Sequence, residues 1–122
     1  MKNLAMALKT YFSGFGLQAY TTDSVPDDVE LPYLAYSLAE PEWNQKATMY
    51  VQIWNRSRSN AMILEKADEI LADIGEGKRL ETDAGIVVIW PDSPAQVQVD
   101  EDPDFRYAYI NFGINSYQMP GS

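Results

Sequence analysis

Apolar residues recur at helical spacing in the first part of the chain. Residues separated by three, four or seven positions share one face of a helix, and five apolar residues here form such a stripe: Leu4, Leu8, Tyr11, Phe12 and Phe15. Gly14 and Gly16 follow and are typical of a helix end. The pattern predicts a first helix that ends near Gly14. Lys9 interrupts the apolar run, so a core helix is favoured over a secretory signal.

Alternating apolar and polar positions predict the strands. Tyr33 to Leu38 is aromatic-rich, and Ala47 to Trp54 alternates strictly. We expect residues 40–45 between these segments to form a hairpin loop, and residues 21–32, which are polar, acidic and contain two prolines, to form a longer loop. Phe105 to Gln118 alternates throughout and is the clearest strand in the chain.

A second apolar stripe, in the middle of the chain, predicts a second helix. Its apolar positions are Ile63, Ala67, Ile70, Leu71 and Ile74. Ser57 or Ser59 is expected to cap its start, and Gly75 marks its end. Ile86 to Trp90 is then a short, continuously apolar strand for which we expect cover on both faces.

The order of elements is therefore α, β, β, α, β, β, with short additional strands expected near residues 16–20 and 96–99. Strands this close in sequence favour an antiparallel sheet. We predict an α+β fold in which an antiparallel or mixed sheet of about four or five strands carries two helices on one face. With 122 residues and no internal linker, residues 1–122 are expected to form a single domain.

Composition narrows the possible functions. The chain has 18 acidic and 9 basic residues, a net charge of −9, so its field repels nucleic-acid phosphates and anionic membranes. It contains no His and no Cys. The commonest general base, thiolate nucleophiles and the commonest metal ligands are therefore absent. We expect a protein that is not an enzyme, has no catalytic residues and holds no metal or cofactor.

Two local motifs resemble ligand sites and are set aside. Asp100, Asp102 and Asp104 are spaced as in the opening of an EF-hand loop, but Phe105 stands where that loop needs Gly and Asn111 where it needs a bidentate Glu. A soluble edge loop, or one that meets a basic partner, is the favoured interpretation. Gly14-Phe15-Gly16 follows a helix instead of a strand, so it is not a phosphate-binding turn.

The chain carries more aromatic residues than one face of a small sheet needs to bury. If Met49, Val51 and Ile53 face the helices, four aromatic residues emerge on the opposite face: Tyr50, Trp54, Tyr107 and Tyr109. Such residues are enriched at protein interfaces. The four are our candidate protein interface, and the alternative is that they are single exposed aromatics with no role.

The sequences of several segments, and their order along the chain, resemble those of the small tail-terminator or tail-completion proteins of long-tailed bacteriophages and prophages. The resemblance rests on the first helix, the segment Leu31-Pro32-Tyr33-Leu34-Ala35-Tyr36, the strand Tyr50-Val51-Gln52-Ile53-Trp54 that runs into the second helix, and the final strand from Phe105-Arg106-Tyr107-Ala108-Tyr109.

This resemblance implies a small α+β subunit that assembles into a six-membered ring at the head-tail junction. The implied partners are further copies of the chain, tail-tube proteins and connector proteins, with no specific nucleic-acid binding and no membrane. The implied location is the virion, and the host bacterial cytoplasm during assembly. Three alternatives stay open: another neck or head-completion adaptor, an acidic module that binds or inhibits a basic protein, and an enzyme, which would need a Glu or Asp of raised pKa in a pocket.

Overall fold

The computed structural model describes residues 4–37, 46–82 and 85–118. Two helices and seven strands form in this part of the chain. The helices are α1 (Leu4–Ser13) and α2 (Ala61–Ile74). The strands are β1 (Gln18–Thr21), β2 (Tyr33–Tyr36), β3 (Lys46–Arg56), β4 (Lys78–Glu81), β5 (Gly85–Pro91), β6 (Gln96–Val99) and β7 (Phe105–Gln118).

All seven strands belong to one sheet. Its order is β1-β2-β3-β7-β5-β4, and β6 pairs with the first part of β7, on the side where β5 pairs with the rest. Strands β1 and β2 are parallel, and every other pair is antiparallel. The mixed α+β class is confirmed, but the predicted count of four or five strands is too low.

The additional strands have different origins. Short strands near residues 16–20 and 96–99 were expected and are present as β1 and β6. Strand β4 was not predicted. Its sequence is Lys-Arg-Leu-Glu, with Leu80 as its only apolar residue, so four residues give too little alternation to indicate a strand.

One hydrophobic cluster joins the helices to the strands. Helix α1 contributes Leu8 and Phe12, and α2 contributes Ile63, Ala67, Ile70 and Ile74. The strands contribute alternate residues, as the period of a strand requires: Ala19, Leu34, Tyr36, Met49, Val51, Ile53, Val87, Ile89, Ala108, Ile110, Phe112 and Ile114. The register of β3 and β7 is therefore fixed by which of their faces is apolar.

The helix ends are partly as predicted. Gly16 and Gly75 adopt positive φ angles of 85° and 56°, and the Gly75 N–H donates to the Leu71 carbonyl at 2.9 Å. The predicted cap at Ser57 or Ser59 is wrong, because α2 begins after Asn60. The Ser59 hydroxyl instead accepts from the Ala61 N–H at 3.2 Å, within the turn that leads into the helix.

Two further expectations concern the connections. The loop predicted over residues 21–32 is confirmed except at its first residue: Thr21 ends β1, and residues 22–32 form neither helix nor strand. The hairpin loop expected at residues 40–45 lies outside the described residues. Among the helices that the structure describes, none has the length and apolar character needed to cross a membrane.

Candidate protein interface

The sheet face opposite the hydrophobic cluster carries a set of half-buried aromatic side chains. We call this surface the aromatic face and define it by Tyr20, Tyr33, Tyr50, Trp54, Tyr107 and Tyr109, all of them partly exposed. They lie on β1, β2, β3 and β7, at positions that alternate with the buried residues of the same strands. The pleat of the sheet therefore separates one apolar and one aromatic face from a single alternating sequence.

Four of these rings form a row across the sheet. Tyr33 lies opposite Trp54, and Trp54 lies opposite Tyr107. The ring centroids of Tyr33 and Trp54 are 6.2 Å apart at 10°, and those of Trp54 and Tyr107 are 4.3 Å apart at 27°. Tyr20 continues the row with an edge-to-face contact to Tyr33 at 6.2 Å. Such cross-strand contacts fix ring positions before any partner arrives.

A second stacked pair lies beside this row. Tyr50 and Tyr109 have centroids 5.2 Å apart and planes at 20°. They are diagonal neighbours, since Tyr109 lies opposite Gln52 and Tyr50 lies opposite Asn111. Burial, with smaller contributions from Tyr50 and Tyr107, raises the pKa of Tyr109. The phenol therefore stays protonated at neutral pH and is a hydrogen-bond donor.

Uncharged polar side chains fill the spaces between the rings. Gln52 and Asn111 lie within the aromatic face, and the Gln52 side-chain oxygen accepts from the Trp54 indole N–H at 3.2 Å. Gln96 and Gln98 of β6 lie opposite Tyr109 and Tyr107. These positions carry no charged residue, but two cations lie at the border of the aromatic face: Lys9 at 5.1 Å from the centre of the Tyr20 ring and Arg56 at 5.1 Å from that of the Phe105 ring. The surface suits a partner that offers apolar groups and hydrogen bonds.

All four residues of the candidate interface are brought together by the structure. Tyr50 and Trp54 lie on β3, and Tyr107 and Tyr109 lie on β7, each in a stacked pair with a ring of the neighbouring strand. The geometry establishes their common face, and their role in an interface stays a prediction. Tyr20 and Tyr33 were missed, because the four residues of β1 and the four of β2 do not indicate by themselves which face is apolar.

Trp90 was also missed. It lies on β5 opposite Gly113 of β7, and a Cβ atom built at Gly113 would lie 2.3 Å from the Trp90 indole. A glycine inside a strand signals a close approach of this kind, and Gly113 within the clear β7 pattern was that signal. Both faces of Ile86 to Trp90 were expected to be covered: Val87 and Ile89 are buried, whereas Ile86, Val88 and Trp90 remain partly exposed.

The acidic turn between β6 and β7 uses part of its charge internally. We define the acidic turn as residues 100–104. The Asp100 carboxylate accepts from the Glu101 N–H at 2.7 Å, and the Asp102 carboxylate accepts from the Asp104 N–H at 3.0 Å. Asp104 pairs with Arg58 at 2.8 Å. Within residues 4–37, 46–82 and 85–118, no group of three acidic side chains is arranged to hold a metal ion.

Comparison with known proteins gives similarity in structure only. No protein-family model matches the sequence, and no curated protein matches it. A solved structure that carries no functional name is similar with a TM-score of 0.58, at 11% identity, over 93% of this chain and 90% of the other. A chain from the virion of a native gene transfer agent particle is similar with a TM-score of 0.64, at 17% identity. Because 95% of this chain and 98% of the virion chain are covered, the two share a fold over almost their whole length.

Proposed function

We propose that this chain is a structural protein of a phage or phage-like virion. The observation that carries the proposal is the fold shared with a chain of a gene transfer agent virion, which is a phage-like particle. The likeness extends over nearly all of both chains, so it concerns a whole subunit. The sequence resemblance to tail-terminator and tail-completion proteins supports the same class independently. A subunit of this kind acts by assembling and needs contact surfaces.

Within this class, the proposed role is that of a tail terminator or tail-completion protein that forms a ring of six at the head-tail junction. A ring closes when each subunit contacts the next through two different surfaces related by rotation. The aromatic face is the proposed first surface, with Tyr50, Trp54, Tyr107 and Tyr109 as its contact residues. The uncharged residues at its centre support this, because subunits with a net charge of −9 repel one another through their acidic surfaces.

The acidic balance also supports a ring through which DNA passes. A channel with an acidic lining repels phosphate groups and does not retain the DNA. Specific nucleic-acid binding is therefore no part of the proposal, and tail-tube and connector proteins are the proposed partners. Another neck adaptor would need the same properties, and the genes on either side would separate the two roles.

A second candidate function is favoured by the outer surface of α2. Glu65, Asp68, Glu69 and Asp73 are all exposed there, and only Glu69 and Asp73 have a cationic partner among the described residues, Lys66 and Lys78. An acidic module of this kind would bind a basic protein surface. Its affinity would fall steeply as salt screens the charges, whereas assembly through the aromatic face would depend little on salt.

The oligomeric state tests the leading proposal. Light scattering after size exclusion should give the mass of an oligomer of the wild-type chain, alone or with tail-tube protein. Negative-stain electron microscopy should show that these particles are annular. Replacing Trp54 and Tyr107 together with Ala should yield smaller species. Leu64→Ala is the matched control, because Leu64 is an exposed apolar residue on α2. Circular dichroism would show that each variant is folded.

A strictly monomeric chain at high concentration, with no annular particles in the presence of tail-tube protein, would contradict the ring. If annular particles still form when both Trp54 and Tyr107 are replaced, the ring assembly would be supported, but the aromatic face would not be one of its contact surfaces.

A further inference from the structure

Among the described residues, three strands, β1, β4 and β6, each have an edge that pairs with no other strand. The sheet ends at β1 on one side and at β4 on the other, and β6 pairs with β7 alone. Free edges invite pairing with another chain, and proteins protect them with charged side chains, especially lysine. The three edges differ in whether charged side chains protect them.

Charged side chains protect two of the edges. At β1, the Lys9 ammonium donates to the Ala19 carbonyl and lies 5.1 Å from the centre of the Tyr20 ring. At β4, three of the four residues are charged, in the sequence Lys78-Arg79-Leu80-Glu81. A strand added at either position would have to displace or neutralise these charges.

Strand β6 has no such protection. Its sequence is Gln-Val-Gln-Val, without charge or proline. Gln96, Gln98 and Val99 are exposed, and Val99 retains 54% of its accessible surface. Val97 is partly buried against the hydrophobic cluster, which holds the strand to the domain on that side.

The backbone of β6 presents unused hydrogen-bonding groups. The Asp100 N–H donates to the carbonyl of Phe105, the first residue of β7. Asp100 and Phe105 therefore form a hydrogen-bonded pair. Pairs alternate in an antiparallel ladder, so the Gln98 and Gln96 backbones also point toward β7. The N–H and C=O groups of Val97 and Val99 therefore point away from it, toward a side on which the described residues place no further strand.

The acidic turn continues directly from this edge. Asp100, Glu101 and Asp102 are exposed and form no ion pair within 4 Å in the described part of the chain, although the charge of Asp102 also acts on Arg58. A segment that pairs with β6 and extends past Val99 would meet these carboxylates. Basic residues at that end of the segment would be attracted, and acidic residues would be repelled.

We propose that the free edge of β6 binds an extended segment of another protein by strand addition, with Lys or Arg at the end of the segment that meets the acidic turn. Backbone bonds to Val97 and Val99 would provide affinity, and the acidic turn would select the charge and direction of the segment. Gln96 and Gln98 lie beside Tyr109 and Tyr107, so the added strand would also extend the aromatic face. The inference rests on the edge itself and holds whether or not the chain forms a ring.

The test uses a displayed library of short random peptides, selected on the full wild-type chain. The key variant is Val99→Pro, which removes an outward N–H at an exposed position where proline is tolerated. Val99→Thr is the matched control, because it keeps the N–H and the preference for a strand. We expect peptides with Lys or Arg at one end that bind the control normally and lose at least about tenfold in affinity on Val99→Pro.

Replacing Asp100 with Asn and Glu101 with Gln should weaken the same peptides, whereas the same two kinds of change at Asp68 and Glu65, exposed on α2, should not. Selection of no peptide, or of peptides that bind Val99→Pro as well as wild type, would overturn the proposal. Selection of acidic peptides would overturn it too. So would an oligomer of wild-type chains that dissociates on Val99→Pro, because the occupant would then be a second copy.

Discussion

The Trp54 indole stacks on the Tyr107 ring across two antiparallel strands, with centroids 4.3 Å apart and planes at 27°. The backbones of Trp54 and Tyr107 are not hydrogen-bonded to each other. The Phe105 carbonyl accepts from the Asp100 N–H, so the backbone groups of Phe105, and those of Tyr107 two residues later, point away from β3. Side chains in such pairs approach more closely than in hydrogen-bonded pairs. Stacking therefore fixes these rings of the aromatic face in the free protein. A partner that bound them would cost little further side-chain entropy.

The first prediction concerns the strength of this contact. Trp54→Ala and Tyr107→Ala should be coupled by about 0.5–1.5 kcal/mol, because each change removes the same stacking interaction. The measurement is a double-mutant cycle from urea denaturation. Trp54→Ala combined with Tyr117→Ala is the control, since Tyr117 lies opposite Ile86 at the other end of β7. Additive effects in the first cycle would show that the stacking contributes nothing to stability.

The second prediction concerns the close approach of Trp90 to Gly113. Gly113→Ala places a Cβ atom 2.3 to 2.6 Å from three atoms of the indole, so Trp90 must move. We expect a loss of about 1–3 kcal/mol in the free energy of unfolding and a change in tryptophan fluorescence. In a Trp90→Ala background, the same change at Gly113 should have little effect.

Gly77→Ala is the control for this substitution. Its Cβ would lie 3.5 Å from a Val88 methyl group, which is an ordinary contact. A similar loss of stability at both glycines would mean that backbone freedom, and not contact with the indole, explains the effect at Gly113.

The long periodic elements could be predicted from the sequence, and the short ones only in part. Helix α2 and strand β7 were predicted because 14 residues each give a clear period. Strand β4 has four residues, three of them charged. It forms because it pairs with β5, between residues such as Leu80 and Val87. That pairing is a tertiary property, which the local sequence of β4 does not encode.

The alternation of buried and outward-facing residues along β3 and β7 was enough to predict the four residues of the candidate interface. The buried positions Met49, Val51 and Ile53 indicate which face of β3 is apolar, and Tyr50 and Trp54 follow on the other. The contact of Trp54 with Tyr33 could not be predicted, because it depends on the register of β2 against β3. The open edge of β6 is likewise a property of the sheet order and of the position of Lys9 at β1.

The third prediction concerns alkaline pH. The Tyr11 hydroxyl donates to the Asp73 carboxylate at 2.6 Å. Burial, followed by this hydrogen bond and the charge of Asp73, raises the pKa of Tyr11 well above its usual range. Tyrosine is charged when deprotonated, so the folded state resists a deprotonation that the unfolded state undergoes. The stabilisation is complete below the unfolded pKa of about 10 and is lost as the pH rises above it.

Tyr11→Phe isolates this effect. At neutral pH it should cost about 1 kcal/mol through the lost hydrogen bond. Above a pH of about 10, its free energy of unfolding should fall less steeply than that of the wild type. Urea denaturation at a series of pH values measures both. Tyr117→Phe is the control, and a pH dependence unchanged by Tyr11→Phe would exclude Tyr11 as the source.

The fourth prediction concerns the protection of the β1 edge. Lys9→Met keeps the apolar stem but removes the ammonium that donates to the Ala19 carbonyl. The edge then loses its charge next to an exposed strand, so concentration-dependent association should increase. Lys66→Met is a stringent control, because Lys66 also donates to a backbone carbonyl, but that of Phe15, which precedes β1 and is not part of the strand. Static light scattering over a concentration series compares the two. Equal association of both variants would attribute the effect to the loss of any lysine contact with a backbone carbonyl, and would show that Lys9 does not specifically protect the β1 edge.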